Sequence, residues 1–427
     1  MIISKVSKIE SEISKKEITN TLNIVFDKFS LVKRALIIHP DYSRNDFSHL
    51  LTPIIIDILK TKSLKTLDTL NAAGTHRKMG TDEIIKKLGV NIEDYGTIHN
   101  HNFDNQSILE SLEDIPGSFI KEQTNGNLSD PLPVTVNKLI NANYDLIITL
   151  NGTVPHEAAG YSGGTKILVP GISGPKVVGG FHWAAVMVGI PAIIGSLDNP
   201  ARRIINKAST QIMDHIKTPV ISLNMVYTED DDHKVIPKGL FTGIGMDGFS
   251  AALDEAAKLS SKLHIKYLKT SKDIVIQELP KMYDEVWTAG KGSYKLQKKG
   301  VLSKGAKIVL YAPHIDCFHS NKKMDKDIRK IGYHGIAYVL NFLKENPEFD
   351  RNIASHVINV RGFGELKNNI ESFPFEVVLA TKISKKDCES VNLGYIDPNS
   401  LKKEDFQAKN QLWIDQGGQW LYDKKVI

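Results

Sequence analysis

Two histidines, His76 and His156, stand in loops that could carry acid–base chemistry. An imidazole titrates near neutral pH, so each suits proton transfer to or from a substrate hydroxyl. Set on opposite faces of one carbon, the pair would suit a reaction that treats mirror-image substrates alike. Read singly, each is equally a loop histidine bonded to backbone. Gly74 permits a sharp turn before His76, and Pro155 constrains the approach to His156. The segment Gly160 to Lys166 reads GYSGGTK. Its clustered Ser162, Gly163 and Gly164 resemble an anion cradle, because glycines let backbone amides point at a phosphate. It lacks the hydroxyl residue after the lysine that a Walker loop requires, and a tight structural turn is the alternative. Arg44, in PDYSR with Asp41, could grip a carboxylate through its planar fork or make a surface ion pair. His182, between Phe181 and Trp183, is either a satisfied core histidine or a metal ligand. No HxxxH, HExxH or EF-hand pattern accompanies it, so a metal held by protein side chains alone is not indicated. His99 and His101, in the Asn-rich TIHNHNFDN, read as part of a polar loop.

These residues share a position: they follow strands. The patterns predict a strand at Arg34 to His39, a helix at Phe47 to Leu59, a strand at Ser63 to Asn71 and a helix at Thr81 to Leu88. A helix at Val134 to Ala142 and a buried strand at Tyr144 to Leu150 follow. After three of these strands come PDYSR, AAGTHRKMG and NGTVPHEAAGYSGGTK. In open α/β sheets ligands bind beyond the carboxyl ends of the strands, so the three loops should meet on one rim. That convergence, more than any single residue, argues for a site.

The rhythm restarts downstream. A polar hairpin at Tyr227 to Pro237 and an amphipathic helix at Phe249 to Leu263 precede strands at Asp273 to Gln277, Tyr283 to Thr288, Lys307 to Ala312 and Phe375 to Lys382, with Asp325 to Lys344 mainly helical. The expected fold class is α/β: two α/β domains with mostly parallel sheets and an active-site cleft between them. The boundary is expected near residue 265. Residues 1–265 would carry cofactor and catalytic residues, and residues 266–427 would close the cleft.

Composition supports a folded chain of 427 residues with 41% apolar and 24% charged residues. The net charge of +5 is too small to indicate nucleic acid or an anionic membrane surface. Two cysteines, Cys317 and Cys388, exclude a disulfide framework and a thiolate zinc site. The charge-free stretch Val177 to Leu197 is long enough for a membrane span, but its glycines, His182 and Pro191 favour a buried helix followed by a buried strand. With no visible signal peptide, a cytoplasmic location is expected.

PDYSR, AAGTHR, PHEAAGYSGGTKILVPGI and GGFHW together resemble the nickel-dependent lactate racemase family over roughly the first 250 residues. The second half resembles it only in strand–helix order. The resemblance implies a nickel-pincer nucleotide, a pyridinium mononucleotide binding nickel through a ring carbon and two sulfurs. It would be tethered to Lys166 through a thioamide and ligated by His182. It implies His76 and His156 as the acid/base pair, Arg44 as the group that orients the substrate carboxylate, and Asp41 as support for Arg44 or the nucleotide. The glycine loop with Ser162, Gly163 and Gly164 would lie near the nucleotide. Partners would be a small 2-hydroxy acid and, for maturation, a carboxylase/hydrolase, a sulfur transferase and a nickel insertase. The implied reaction is racemisation or epimerisation: hydride leaves the α-carbon and returns to the other face, which avoids a carbanion beside a carboxylate.

The stretch Gly290 to Gly300, GKGSYKLQKKG, is shorter and differently spaced than its family counterpart. Tyr294 and Lys298 are the substrate-binding candidates there. KMGTDE after AAGTHR also departs from the family. Both departures leave open which 2-hydroxy acid is the substrate: lactate, or a relative that is larger or has a second polar group. The alternatives are an NAD-dependent 2-hydroxyacid dehydrogenase, whose GxGxxG turn is missing here, and a non-catalytic nucleotide-binding relative.

Overall fold

The computed structural model describes residues 2–230, 232–368 and 370–424. Two compact units divide the chain. The first comprises Met1–Ala184 and Ser196–Leu263, the second Ala185–Gly195 and His264–Ile427. The mixed α/β class agrees with the sequence-based expectation.

The first unit is built on a seven-stranded sheet. Its strands are β1 (Ile2–Ser7), β2 (Arg34–Pro40), β3 (Thr66–Ala72), β4 (Ile98–Asn100), β5 (Leu146–Gly152), β6 (Val220–Glu229) and β7 (Val235–Ile244), in the order β1-β7-β6-β5-β2-β3-β4. The pairs β2–β3, β3–β4, β2–β5 and β5–β6 are parallel, while β7 runs antiparallel to both β6 and β1. Parallel strands are covered on both faces, which is why ALIIHP in β2 and LIITLNG in β5 are buried throughout. Ile37, Ile148, Leu150, Ile221 and Leu223 join the main core with helix residues such as Leu22, Leu51 and Ile55. Those come from α1 (Lys15–Phe26), opened by a capping box of Ser14 and Glu17, and α2 (Ser48–Thr61).

From β2 the chain winds to β3 and β4 on one side, then returns to β5 and β6 on the other. The strand order therefore reverses between β2 and β5, the switch point at which an open sheet leaves a crevice at its carboxyl edge. Helices α3 (Thr81–Leu88), α4 (Pro175–Val188), α5 (Pro200–His215) and α6 (Gly245–His264) complete the elements needed below.

The second unit holds a five-stranded, wholly parallel sheet. Its strands are β8 (Lys272–Glu278), β9 (Leu302–Ala312), β10 (Phe375–Thr381), β11 (Gly394–Tyr395) and β12 (Gln411–Ile414), in the order β11-β10-β9-β8-β12. Ile276, Val309, Val378 and Ala380 form a core cluster across it.

Three sequence-based expectations give way to the structure, and a fourth, the mainly helical stretch, is borne out with a break in it. The helix expected at Val134 to Ala142 is a strand, Thr135–Asn137, paired with Leu109–Ser111, and then a single tight turn that the Asn137 side chain caps. The strand expected beyond Pro191 is a short helix, Ile190–Ile193. Proline sits in its first turn, where no backbone donor is missed. Tyr283 to Thr288 contributes a helical turn, Val286–Ala289, instead of a strand. The helical stretch at Asp325 to Lys344 is two helices, Lys322–Ile331 and Ile336–Glu345, separated by Gly332 at φ +70° and by Gly335. The hairpin at Tyr227 to Pro237 is present as β6 and β7, with Asp231 outside the described residues.

Candidate active site

The first unit gathers its titratable groups at the switch point. Asp41 follows β2 directly and is almost fully buried. The Ser43 backbone N–H and hydroxyl donate to its Oδ1 at 2.9 and 2.7 Å, while its Oδ2 accepts from His76 Nδ1. Burial pushes the Asp41 carboxyl up. The His76 ring, the Arg44 guanidinium and the Ser43 hydroxyl outweigh it and hold the group well below the usual carboxylate range. His76 follows β3, the neighbour of β2, so the pairing Pro40↔Ala72 brings the two loops side by side. With Nδ1–H directed at a carboxylate, the His76 ring presents Nε2 as its basic atom.

His156 lies in a two-stranded hairpin, Pro155–His156 against Gly160–Tyr161, just beyond β5. The backbone N–H of Ala158 donates to its Nδ1 at 3.1 Å. A neutral ring so held carries its proton on Nε2. The Glu157 carboxylate lies 3.2 Å from the same Nδ1, where it can stabilise the doubly protonated ring. His76 and His156 are thus held in opposite tautomers.

The loop after this hairpin is shaped by close packing. At Gly163, with φ +89°, a Cβ would stand 2.7 Å from Thr153 Oγ1, and at Gly164 one would stand 2.9 Å from Leu253. The Gly164 N–H donates to Asn224 Oδ1 at 2.8 Å. The Ser162 hydroxyl donates to the Gly152 carbonyl at 2.7 Å and accepts from Val154 N–H at 3.0 Å. The Ser162 hydroxyl and the Gly164 N–H thereby fasten the loop to the end of β5 and to Asn224 within β6. Arg202, buried on α5, adds a clamp by donating to the carbonyls of Ala159, at 2.9 Å, and Tyr161.

Lys166 emerges from this fastened loop. Burial lowers its pKa from 10.5 to about 7, assisted by Arg44 and Arg202 and opposed by Glu157 and Asp41. Those interactions set the ammonium among groups from the loops after β2 and β5. His182, on α4, belongs to the same neighbourhood: burial lowers its pKa to about 3, and Lys166 and His76 add to the effect. Its Nδ1 lies 3.0 Å from the Val178 carbonyl, one helical turn back, and its ring lies 4.0 Å from that of Phe181. With the Nδ1 proton donated to that carbonyl, the Nε2 lone pair is available, the arrangement typical of a metal-ligating histidine. Among the described residues no group of three or more His, Cys, Asp and Glu is arranged to hold a metal.

Asp41, Arg44, His76, Lys166 and His182 are therefore coupled within one unit, and His156 joins them through Glu157. Tyr294 and Lys298 lie in the second unit. Tyr294 packs with Ile190, Ile194 and Leu421, and the Lys298 ammonium donates to the Pro191 carbonyl at 2.9 Å. His101 is buried, bonded to the Ser173 carbonyl and the Asn137 side chain, rather than part of a polar loop. Sequence reasoning passed over Ser43, Glu157, Arg202 and Asn224. The first two stand inside motifs it quoted; the others have no local signal.

Part of this chain is similar to known proteins. A family model, the lactate racemase N-terminal domain, matches residues 4–191. The lactate racemase of Lactiplantibacillus plantarum is 26% identical over 257 residues, 59% of this chain and 55% of that protein. The lactate racemase of Thermoanaerobacterium thermosaccharolyticum is 26% identical over 198 residues, 46% of this chain and 43% of that protein. The matches thus span about half the length of these curated relatives. A crystal structure of a Thermotoga maritima protein is 47% identical, covering 98% of this chain and 100% of that one at a TM-score of 0.95. The lactate racemase apoprotein of T. thermosaccharolyticum, 17% identical, shares the fold at a TM-score of 0.70 over 97% of this chain and 94% of that one. The fold is that of an α/β protein whose residues 4–191 match the lactate racemase N-terminal domain model. Over residues 4–191 the chain is similar to the lactate racemase N-terminal domain, and it resembles two curated lactate racemases. No helix among the described residues is long and apolar enough to cross a membrane.

Proposed function

We propose that this protein is an isomerase that racemises or epimerises a 2-hydroxy carboxylic acid with the help of a nickel-pincer nucleotide. The observation that carries the reading is the coupling of two oppositely held imidazoles, a half-buried lysine and a metal-ready histidine at one switch point. The chain's residues fit the group. A lysine with a pKa of about 7 has a substantial neutral-amine fraction at physiological pH, as covalent attachment requires. His182 offers a neutral nitrogen to a metal that favours imidazole and sulfur. When bound, the nucleotide supplies a carbon that reversibly accepts hydride.

The protein's part is positioning and proton management. Arg44 grips the substrate carboxylate through two parallel N–H donors. His76, its Nδ1 anchored by Asp41, takes the hydroxyl proton at Nε2. On the other side His156, as the imidazolium, returns a proton from Nε2 and is left as a neutral ring with Nδ1–H toward Glu157. The imidazolium state of either ring thus faces a carboxylate, Asp41 or Glu157. Phe181 and Trp183, both buried, flank His182 with apolar surface. The test is interconversion of enantiopure 2-hydroxy acids by cofactor-loaded protein with no added NAD. Racemisation supports the reading. Strict dependence on NAD, with accumulation of a 2-oxo acid, would favour a dehydrogenase.

A further inference from the structure

We infer that Lys87, on α3, is a positioning residue that fixes the backbone of Arg44 relative to His76. This rests on the reading above, which sets Arg44 on the substrate carboxylate and His76 on the hydroxyl proton. The loop after β2 enters α2 through a conformation that it does not favour by itself. Phe47, the residue before α2, is buried at φ +58°. A bulky side chain takes up the left-handed region only where its surroundings hold it there. On one side the loop lies against the end of β5, where a Cβ at Gly152 would collide with the Asn45 carbonyl. On the other side stands Lys87. Its ammonium lies 2.9 Å from Asp46 Oδ2 and donates to the Arg44 carbonyl at 3.1 Å. Asp46 Oδ1 in turn accepts the Ser48 N–H at 2.9 Å. One cation therefore secures the backbone of Arg44, the Asp46 side chain and, through it, the first turn of α2. The Lys87 and Asp46 side chains are only 11% and 2% exposed. Each charge would be costly there without the other, which ties the loop to α3 more firmly than a surface pair could.

The same helix grips the loop that carries His76. Glu83, one turn before Lys87 and on the same face of α3, takes both arms of Arg77 at 2.9 and 3.0 Å and the Gly80 N–H at 2.8 Å. Arg77 follows His76 directly. Its guanidinium lies 4.1 Å over the ring of Tyr42, back in the loop after β2. Thus α3 is fastened to Arg44 by Lys87 and to the neighbour of His76 by Glu83. The Glu83–Arg77 pair is the more exposed of the two, so Lys87 is the anchor whose loss should matter more.

Two variants separate positioning from charge balance. Lys87→Met keeps the alkyl stem but leaves the Asp46 carboxylate buried without its cation, so stability should fall. Asp46→Asn/Lys87→Met removes both charges and should recover most of that stability, while the Arg44 carbonyl still lacks its donor. Amide hydrogen exchange on the purified protein reads the loop directly. In both variants residues 42–47 should exchange at least about tenfold faster, and in the double variant β2 and β5 should exchange as in wild type. In cofactor-loaded protein both variants should raise KM for lactate, malate or whichever enantiopure 2-hydroxy acid is converted about tenfold, with kcat held within about twofold, because a grip made equally in ground and transition states is weakened. Adduct mass should not change. Wild-type exchange at residues 42–47 in the double variant, or an unchanged KM in it, overturns the inference, since Lys87 would then only neutralise Asp46. The two readings fail separately. If no 2-hydroxy acid is racemised, the proposed reaction falls and the exchange result alone decides the role of Lys87.

Discussion

Both units are α/β, and both deliver histidines and carboxylates past strand ends, yet the two regions use them differently. In the first unit, side chains engage side chains: Asp41 holds His76, Ser43 holds Asp41, and Arg44 and Glu157 bias Lys166. In the second, His334 meets Glu371 at 2.5 Å and His319 lies 3.6 Å from Glu285, but several of the groups beyond its strands are also engaged by backbone. His314, after β9, bonds the Tyr283 carbonyl at 2.9 Å, His319 Nδ1 accepts from Asn321 N–H at 2.9 Å, and Glu285 accepts from Ser320 N–H at 2.6 Å. Trp287 packs between His319 and His356, at ring separations of 5.2 and 4.2 Å. Titratable residues beyond a parallel strand therefore do not by themselves identify a site. A strand-order reversal that lets several loops converge, with polar groups answering one another, is the sharper criterion.

The contrast breaks most directly at Lys166. Lys166→Ala should eliminate the covalent adduct in intact-protein mass spectra, whereas His182→Ala should keep the adduct and lose nickel. An adduct on the alanine variant, or full nickel in the histidine variant, removes that residue from its role. Next in size is Asp41→Asn. Loss of the anchor on His76 should lower turnover by roughly 10²–10⁴-fold, the range that general acid–base catalysis supplies, with adduct mass unchanged. Turnover within a factor of two of wild type would mean the pair is merely structural. Glu285→Ala should do the reverse: about 1–3 kcal/mol of stability lost, from orphaning the Ser320 N–H, with cofactor attachment intact. The measurement is denaturant unfolding beside the same mass assay.

The smallest effect is in pH. Burial lowers the pKa of His39 and of His101 from 6.5 to about 4. Between those values the unfolded chain binds more protons than the native one, so the first unit loses stability as pH falls from about 6.5 toward 4. Each pH unit costs up to ~1.4 kcal/mol per histidine at most. His101→Asn should flatten the profile in that window, read as unfolding midpoint against pH; an unaltered slope would show that His101 does not titrate there.

Much of this was legible from residue order. The buried runs ALIIHP and LIITLNG specify central parallel strands because both faces must be apolar, and the loops after them carry the functional groups within a few residues. Short segments were less readable. Val134 to Ala142 and Tyr283 to Thr288 contain too few residues for their periodicity to overrule pairing partners and packing chosen elsewhere in the chain.

The sequence alone determined the chemical inventory: which loops carry imidazole, ammonium, guanidinium and carboxylate, and that they follow parallel strands. Tertiary structure decided their states. Asp41 reaches His76 across 35 residues only because β2 and β3 are neighbours, and Lys166 is depressed because the fold buries its ammonium, with Arg44 and Arg202 arriving from other elements to add to the effect. Tautomer and pKa depend on burial and on partners distant in the chain. A local pattern can name a titratable group, but the fold around it sets which atom holds the proton.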